Sequence, residues 1–251
     1  MSAGAASPEG GGPSTQPWRP TPAQIEAARG SKVPDVIRPG LAILFVGINP
    51  GLYSGAVGHH FARPGNRFWE ALRGSGLTDR VLSPFEERTL LDRGLGITNL
   101  VERATARADE LGPDELRTGA RRLRSKACRL RPSVVAFLGI SAYRVAFGLP
   151  RARIGPQPND LCGARVWVLP NPSGLNAHYQ RDDLAEAFGD LRRAMERERK
   201  GVRPRATPSP TGRTRPPPET AEPRRRRGAP RPRGSRSAKG RTGIHRAGSP
   251  P

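Results

Sequence analysis

Two short apolar runs that each break off in an Asn-Pro pair constrain this chain more than any other feature. The first, Leu41 to Gly51, reads LAILFVGINPG, and the second, Val166 to Asn176, reads VWVLPNPSGLN. Short runs rich in Val, Ile, Leu and Phe, bounded by Pro and Gly, predict buried strands. In open α/β sheets, ligands bind just beyond the carboxyl ends of the strands. Two polar Asn-Pro loops at two such ends are therefore expected to form two halves of one site.

Between these runs the pattern alternates. Gly96 to Val101 (GITNLV) and Ser133 to Leu138 (SVVAFL) predict two more strands. Helices are expected over Thr21–Arg29, over Arg67–Arg73 with Asn66 as N-cap, and from a Ser83-Pro84-Phe85-Glu86 capping box to Gly94. Leu116, Ala120, Leu123, Ala127 and Leu130 recur in steps of three and four from Pro113 onward, which predicts an amphipathic helix. A further helix follows Gly139 and ends near Gly148. A closing one carries Leu184, Phe188, Leu191 and Met195 on one face, with Asp182 or Asp183 as its cap. Strands alternating with helices predict an α/β fold, a three-layer α/β/α sandwich with a central four-stranded, mainly parallel sheet. The expected organisation is a disordered extension and lead-in over 1–40, one domain over 41–199, and a disordered Pro/Arg-rich tail over 200–251.

The net charge of +21 points to a polyanionic partner, but it is unevenly spread. From Lys200 to Pro251 stand 15 Lys and Arg against 2 Glu, a net of +13, which leaves +8 for the rest. The two cysteines, Cys128 and Cys162, are too few for a four-Cys metal or iron–sulfur site, so no metal and no cofactor is expected. Both are expected as reduced thiols, Cys128 as a structural one. The N-terminus lacks the charged start and apolar core of a signal peptide, and no run of 18 apolar residues occurs. A cytoplasmic bacterial protein with no membrane partner, associated with the nucleoid while at work, is the expectation.

The motifs carry a resemblance. Gly47–Trp69, GINPGLYSGAVGHHFARPGNRFW, resembles the first motif of the mismatch-specific uracil/thymine-DNA glycosylases of the uracil-DNA glycosylase superfamily. GITNLVERAT (Gly96–Thr105) and LPNPSGLN (Leu169–Asn176) resemble that family's second and third segments, in the same order. The resemblance covers about Leu41 to Glu196. It implies a monomeric, monofunctional enzyme that flips uracil, or thymine or a modified cytosine, opposite guanine out of duplex DNA. It would then hydrolyse the N-glycosidic bond and leave an abasic site for base excision repair.

A base-flipping enzyme needs a stacking platform, amides that match the base edge, a polar group near the glycosidic bond and a filler for the vacated stack. By the resemblance Asn49 is catalytic, its side-chain carbonyl orienting a water towards the anomeric carbon. Asn171 joins it as the group that steadies the departing base. Ile48, Phe61 and Asn99 bind the base, Phe61 by stacking and Asn99 by pairing with the uracil carbonyl and N–H. Ser173 and Gly174 approach the DNA backbone, and Leu175 wedges into the duplex. Each has a plainer reading: Asn49 a turn residue before Pro50, Phe61 a core aromatic, Asn99 a turn cap, Leu175 an ordinary exposed leucine. Some relatives read the widowed guanine with an Arg two residues after that Leu. Here Ala177 and His178 stand there, which leaves backbone groups or Arg181 for the task. His59 and His60 read as pocket wall, with no carboxylate partner near them in sequence. No lysine matches a Schiff-base nucleophile. The competing reading is a non-catalytic nucleic-acid-binding protein that works through the basic tail, with the α/β domain as scaffold.

Overall fold

Strands and helices alternate as the apolar pattern predicts, and the sheet order explains where a site must lie. The computed structural model describes residues 19–174 and 179–201. Its five strands are β1 (Ile43–Gly47), β2 (Leu95–Asn99), β3 (Val134–Leu138), β4 (Gly155–Leu161) and β5 (Ala164–Leu169), in the order β2-β1-β3-β5-β4. All neighbours are parallel except β4, which runs antiparallel to β5. The fifth strand corrects the expected four. GPQPNDL reads as a Pro/Gly loop, yet at a sheet edge one side of the strand needs no hydrogen bonds, so proline is tolerated there. Its register shifts between Pro156 and Asp160.

Two apolar layers close on the sheet. On one face α4 (Pro113–Leu130) and α5 (Ile140–Phe147) pack against Leu44, Val46, Val135, Phe137, Val166 and Val168. On the other, α3 (Phe68–Gly74) and α6 (Arg181–Arg199) pack against Ile43, Phe45, Ile97, Val134 and Ala136. Because successive strand residues face opposite sides, the continuous apolar runs of β1 and β3 feed both layers at once. Two shorter helices, α1 (Pro22–Ala27) and α2 (Leu52–Val57), touch each other beside the β1 loop.

Local signals placed most boundaries within a residue or two. Thr21 caps α1 in a capping box with Gln24. Ser83 and Glu86 form the expected box, although Pro84–Arg93 winds as a 3-10 helix before Gly94 ends it in the left-handed region. Asn66 accepts from the Phe68 N–H at 3.0 Å while Arg67 occupies the cap position of α3. The cap of α6 is Gln180, whose N–H is accepted by Asp183 at 2.7 Å, so the acidic residue closes the box from inside the first turn.

The cysteines differ from expectation. Cys128 on α4 and Cys162 in the β4–β5 turn are joined as a disulfide across 34 residues, their Cα atoms 5.1 Å apart. Folding back of the edge hairpin onto α4 makes the pair, which sequence spacing does not reveal.

The chain runs from β1 outward to β2, then returns across β1 to β3, goes on to β4 at the far edge and turns back into β5. The direction of travel reverses between β1 and β3, and a crevice opens where two neighbouring strands send their connections to opposite sides. Residues at that point are Ile48 and Asn49 after β1 and Leu138 and Gly139 around the end of β3.

Candidate active site

The crevice at the strand reversal is a cleft of about 130 Å³. That suits one planar ring and lies well below the roughly 300–1,000 Å³ of sites for drug-sized ligands. Ile48, Asn49, Phe61, Asn99, Asn171 and Ser173, six of the residues singled out in the sequence, all line it. Gly174 lies beside them, and Leu175 falls outside the described residues. No carboxylate lines the cleft among the described residues, and no cluster of three or more His, Cys, Asp or Glu there is arranged to hold a metal ion.

Asn49 sits two residues past the end of β1, and its amide is held in one orientation. Its Nδ2 donates towards the Thr105 Oγ1 at 2.7 Å and the carbonyls of Arg103 and Pro50, both at 3.1 Å. Thr105 sends its own hydroxyl proton to the Arg107 carbonyl at 2.7 Å, so its oxygen is left to accept. With the nitrogen surrounded by acceptors, Oδ1 is the atom left without a partner among the described residues. Thr105 is buried and its backbone joins the same knot, its N–H donating to the Pro50 carbonyl and its carbonyl accepting from Leu52. Sequence reasoning missed this residue, although it closes the GITNLVERAT segment.

Phe61 forms one wall. Its φ of 52° is unusual for a residue with a side chain, and it turns the ring back onto Phe68, with centroids 4.1 Å apart and planes at 29°. Phe61 is thus both a satellite of the core and a pocket wall. Gly47 makes room for it. A Cβ at Gly47 would stand 3.4 Å from the Phe61 ring and only 2.5 Å from the Asn99 Oδ1. Gly47 and Asn99 are direct partners in the β1–β2 ladder, and directly opposed residues share a face, so the bare glycine is what lets the Asn99 amide lie over β1.

Behind Asn99 stands a buried polar cluster. The Asn99 Nδ2 lies 3.3 Å from the His60 Nδ1, and the His60 Nε2 lies 3.0 Å from the Pro34 carbonyl. Burial, the largest cause, pushes the His60 pKa below its ordinary value despite the carboxylates of Glu87 and Asp35. A carboxylate does serve the histidine pair, contrary to expectation. Glu87, itself buried, accepts the His60 backbone N–H at 2.8 Å and meets the His59 Nδ1 at 2.9 Å. The neighbouring Thr98 donates to Asp35 at 2.6 Å and accepts from Lys126, which also pairs with Asp35 at 2.6 Å. These bonds pin the end of β2 to the lead-in and to α4.

Asn171 is engaged through its amide oxygen. Its Oδ1 accepts the Ser173 N–H at 3.0 Å, a local turn that fixes the loop after β5. Arg67 donates to the carbonyls of Ser173 and Tyr179, and its own N–H binds the Pro172 carbonyl. At Gly174 a Cβ would come within 2.6 Å of the Gly65 carbonyl, so close packing of two protein loops already demands glycine there. Arg181 pairs with Glu70 at 3.0 Å.

The family model of the uracil DNA glycosylase superfamily matches residues 34–192, well over half of the chain. Among solved structures, the chain is similar to a provisionally assigned uracil DNA glycosylase from Methanosarcina acetivorans, at 20% identity over 66% of this chain and 98% of that one, with a TM-score of 0.47. The matched span contains β1 to β5 and every described residue of the cleft, and on that match the chain belongs to the uracil DNA glycosylase superfamily.

Proposed function

We propose that the protein is a monofunctional, mismatch-specific DNA glycosylase that removes uracil opposite guanine and leaves an abasic site. The observation that carries this reading is the Asn49 amide in the wall of a one-ring cleft, locked through its nitrogen with Oδ1 unpartnered among the described residues. An oriented amide oxygen accepts a hydrogen bond from a water and aims the water oxygen at C1′ of the flipped nucleotide. As the C1′–N bond breaks, its electron pair leaves with the base and the sugar takes on oxocarbenium character. The water oxygen then bonds to C1′ and releases its proton to solvent.

An amide is too weak a base to deprotonate the water, and no carboxylate among the described lining residues does it instead. Catalysis must then rest on positioning and on stabilising the departing base anion. Such an enzyme is slow and favours bases that already leave readily. Phe61 supplies the stacking face and Asn99 the edge contacts. Asn171 and Ser173 steady the leaving base at the far side of the cleft. The basic stretch 200–251 adds non-specific contacts to duplex DNA.

The test is strand cleavage by alkali after incubation with labelled duplexes carrying a single G·U, G·T or A·U pair. Cleavage of the G·U duplex well above A·U is expected. Intact G·U duplex at enzyme excess, with a folded sample that still binds DNA, overturns the enzyme in favour of a binding module.

A further inference from the structure

An asparagine amide is nearly symmetric in shape, and a half-turn exchanges its donor and acceptor. Uracil presents a carbonyl beside an N3–H donor, whereas cytosine presents an amino donor beside a bare N3. A freely turning Asn99 would fit either edge equally well, so discrimination requires something that holds the amide.

We propose that His60 is that device: a positioning residue that locks the Asn99 amide in one orientation and so selects the uracil edge over the cytosine edge. The inference rests on the glycosylase reading for its substrate and on this structure for its geometry. The Pro34 carbonyl, 3.0 Å from Nε2, can only accept, so Nε2 carries the proton. The ring belongs to a residue that is 2% exposed, where a second proton is disfavoured. Nδ1 therefore presents a lone pair to the Asn99 Nδ2 at 3.3 Å. Turning the amide over would set the Asn99 oxygen against that lone pair between two buried side chains.

The backbone that carries the imidazole and the end of the strand that carries Asn99 are held by two carboxylates. Glu87, from the 3-10 helix, binds the His60 backbone N–H and the His59 ring. Asp35, on the lead-in, is engaged by Thr98 and Lys126. On the opposite side, Gly47 leaves space for the Asn99 oxygen that a Cβ would fill. The relay Pro34–His60–Asn99 thus converts the tautomer of a buried ring into a donor–acceptor order at the cleft.

Two variants and two readouts test this. His60→Leu removes both ring nitrogens at similar bulk, and His60→Asn returns an acceptor near the position of Nδ1. Free uracil and free cytosine are titrated against each protein while the Asn99 side-chain NH2 signals are followed by NMR. The wild type is expected to prefer uracil. His60→Leu is expected to lose about tenfold of that preference, the worth of one aligned hydrogen bond, and His60→Asn to recover most of it. Equal weakening for both bases, with the ratio unchanged, marks a merely structural role and overturns the proposal, as does a wild type without preference. Independently, long-range 1H–15N spectra of the wild type at neutral pH should show His60 as the Nε2–H tautomer. An Nδ1–H tautomer or an imidazolium overturns the lock whatever the activity. Base selection without excision of G·U would leave the lock standing and defeat the glycosylase reading instead.

Discussion

The two Asn-Pro loops look alike in sequence, but the bonds among the described residues grip their amides by different atoms. Among the described residues, Asn49 spends its nitrogen on protein acceptors and leaves Oδ1 without a partner, while Asn171 spends its oxygen on the Ser173 N–H. The difference comes from the neighbours. The loop after β1 lies beside the end of β2, where Arg103 and Thr105 offer oxygen atoms. The loop after β5 curls back on itself and is tied down by Arg67. The same dipeptide at two strand ends is thus held through different amide atoms by the bonds made among the described residues.

The largest expected effect tests that asymmetry directly. Asn49→Ala should lower single-turnover excision of uracil by about 10²–10³-fold, the scale of losing one preorganised polar group. DNA affinity should stay within about twofold; equal losses in binding and rate would move Asn49 from the chemistry to the interface. Next comes Asn171→Asp, which keeps the oxygen that accepts the Ser173 N–H and removes the amide nitrogen. A rate loss of about tenfold or more is expected if the nitrogen side serves the leaving base. An unchanged rate would reduce Asn171 to a turn residue and break the two-loop site.

Thr105→Val sharpens the Asn49 side of the contrast. It removes the acceptor at 2.7 Å, and with it the donor to the Arg107 carbonyl, so about a tenfold fall in rate with a small fall in Tm is expected, with Thr105→Ser near wild type in both. A large fall in Tm for Val would show that Thr105 serves folding and not orientation.

The smallest effect is a pH slope. His60 has a folded pKa below its ordinary 6.5, so on acidification the unfolded chain takes up this proton first. Its contribution to stability is complete above pH 6.5 and is lost as pH falls from there towards the folded value, at no more than about 1.4 kcal/mol per pH unit. Denaturant melts of wild type and His60→Leu between pH 5 and 7.5 should diverge in that window, and parallel curves would contradict a buried neutral ring.

Much of the scaffold could be read directly from residue order, because its signals are local. The three-and-four spacing from Leu116 to Leu130 marks α4, and the apolar runs mark β1, β2, β3 and β5. The cleft residues were legible through the GINPG, GITN and NPSG segments, each of which ends a strand. The β4 strand was not, since its prolines argue against a strand everywhere except at an edge. Nor were Glu87 behind His59 and His60, 28 and 27 residues away in sequence, or the Cys128–Cys162 pair.

The amino-acid sequence by itself determined the alternation of strands and helices, the family motifs and the residue types at the strand ends, since periodicity and turn chemistry act over a few neighbours. Tertiary structure alone decided which way each amide points. That choice depends on acceptors and lone pairs brought from other strands, such as the Thr105 oxygen beside Asn49 and the His60 nitrogen beside Asn99, and no local pattern records them.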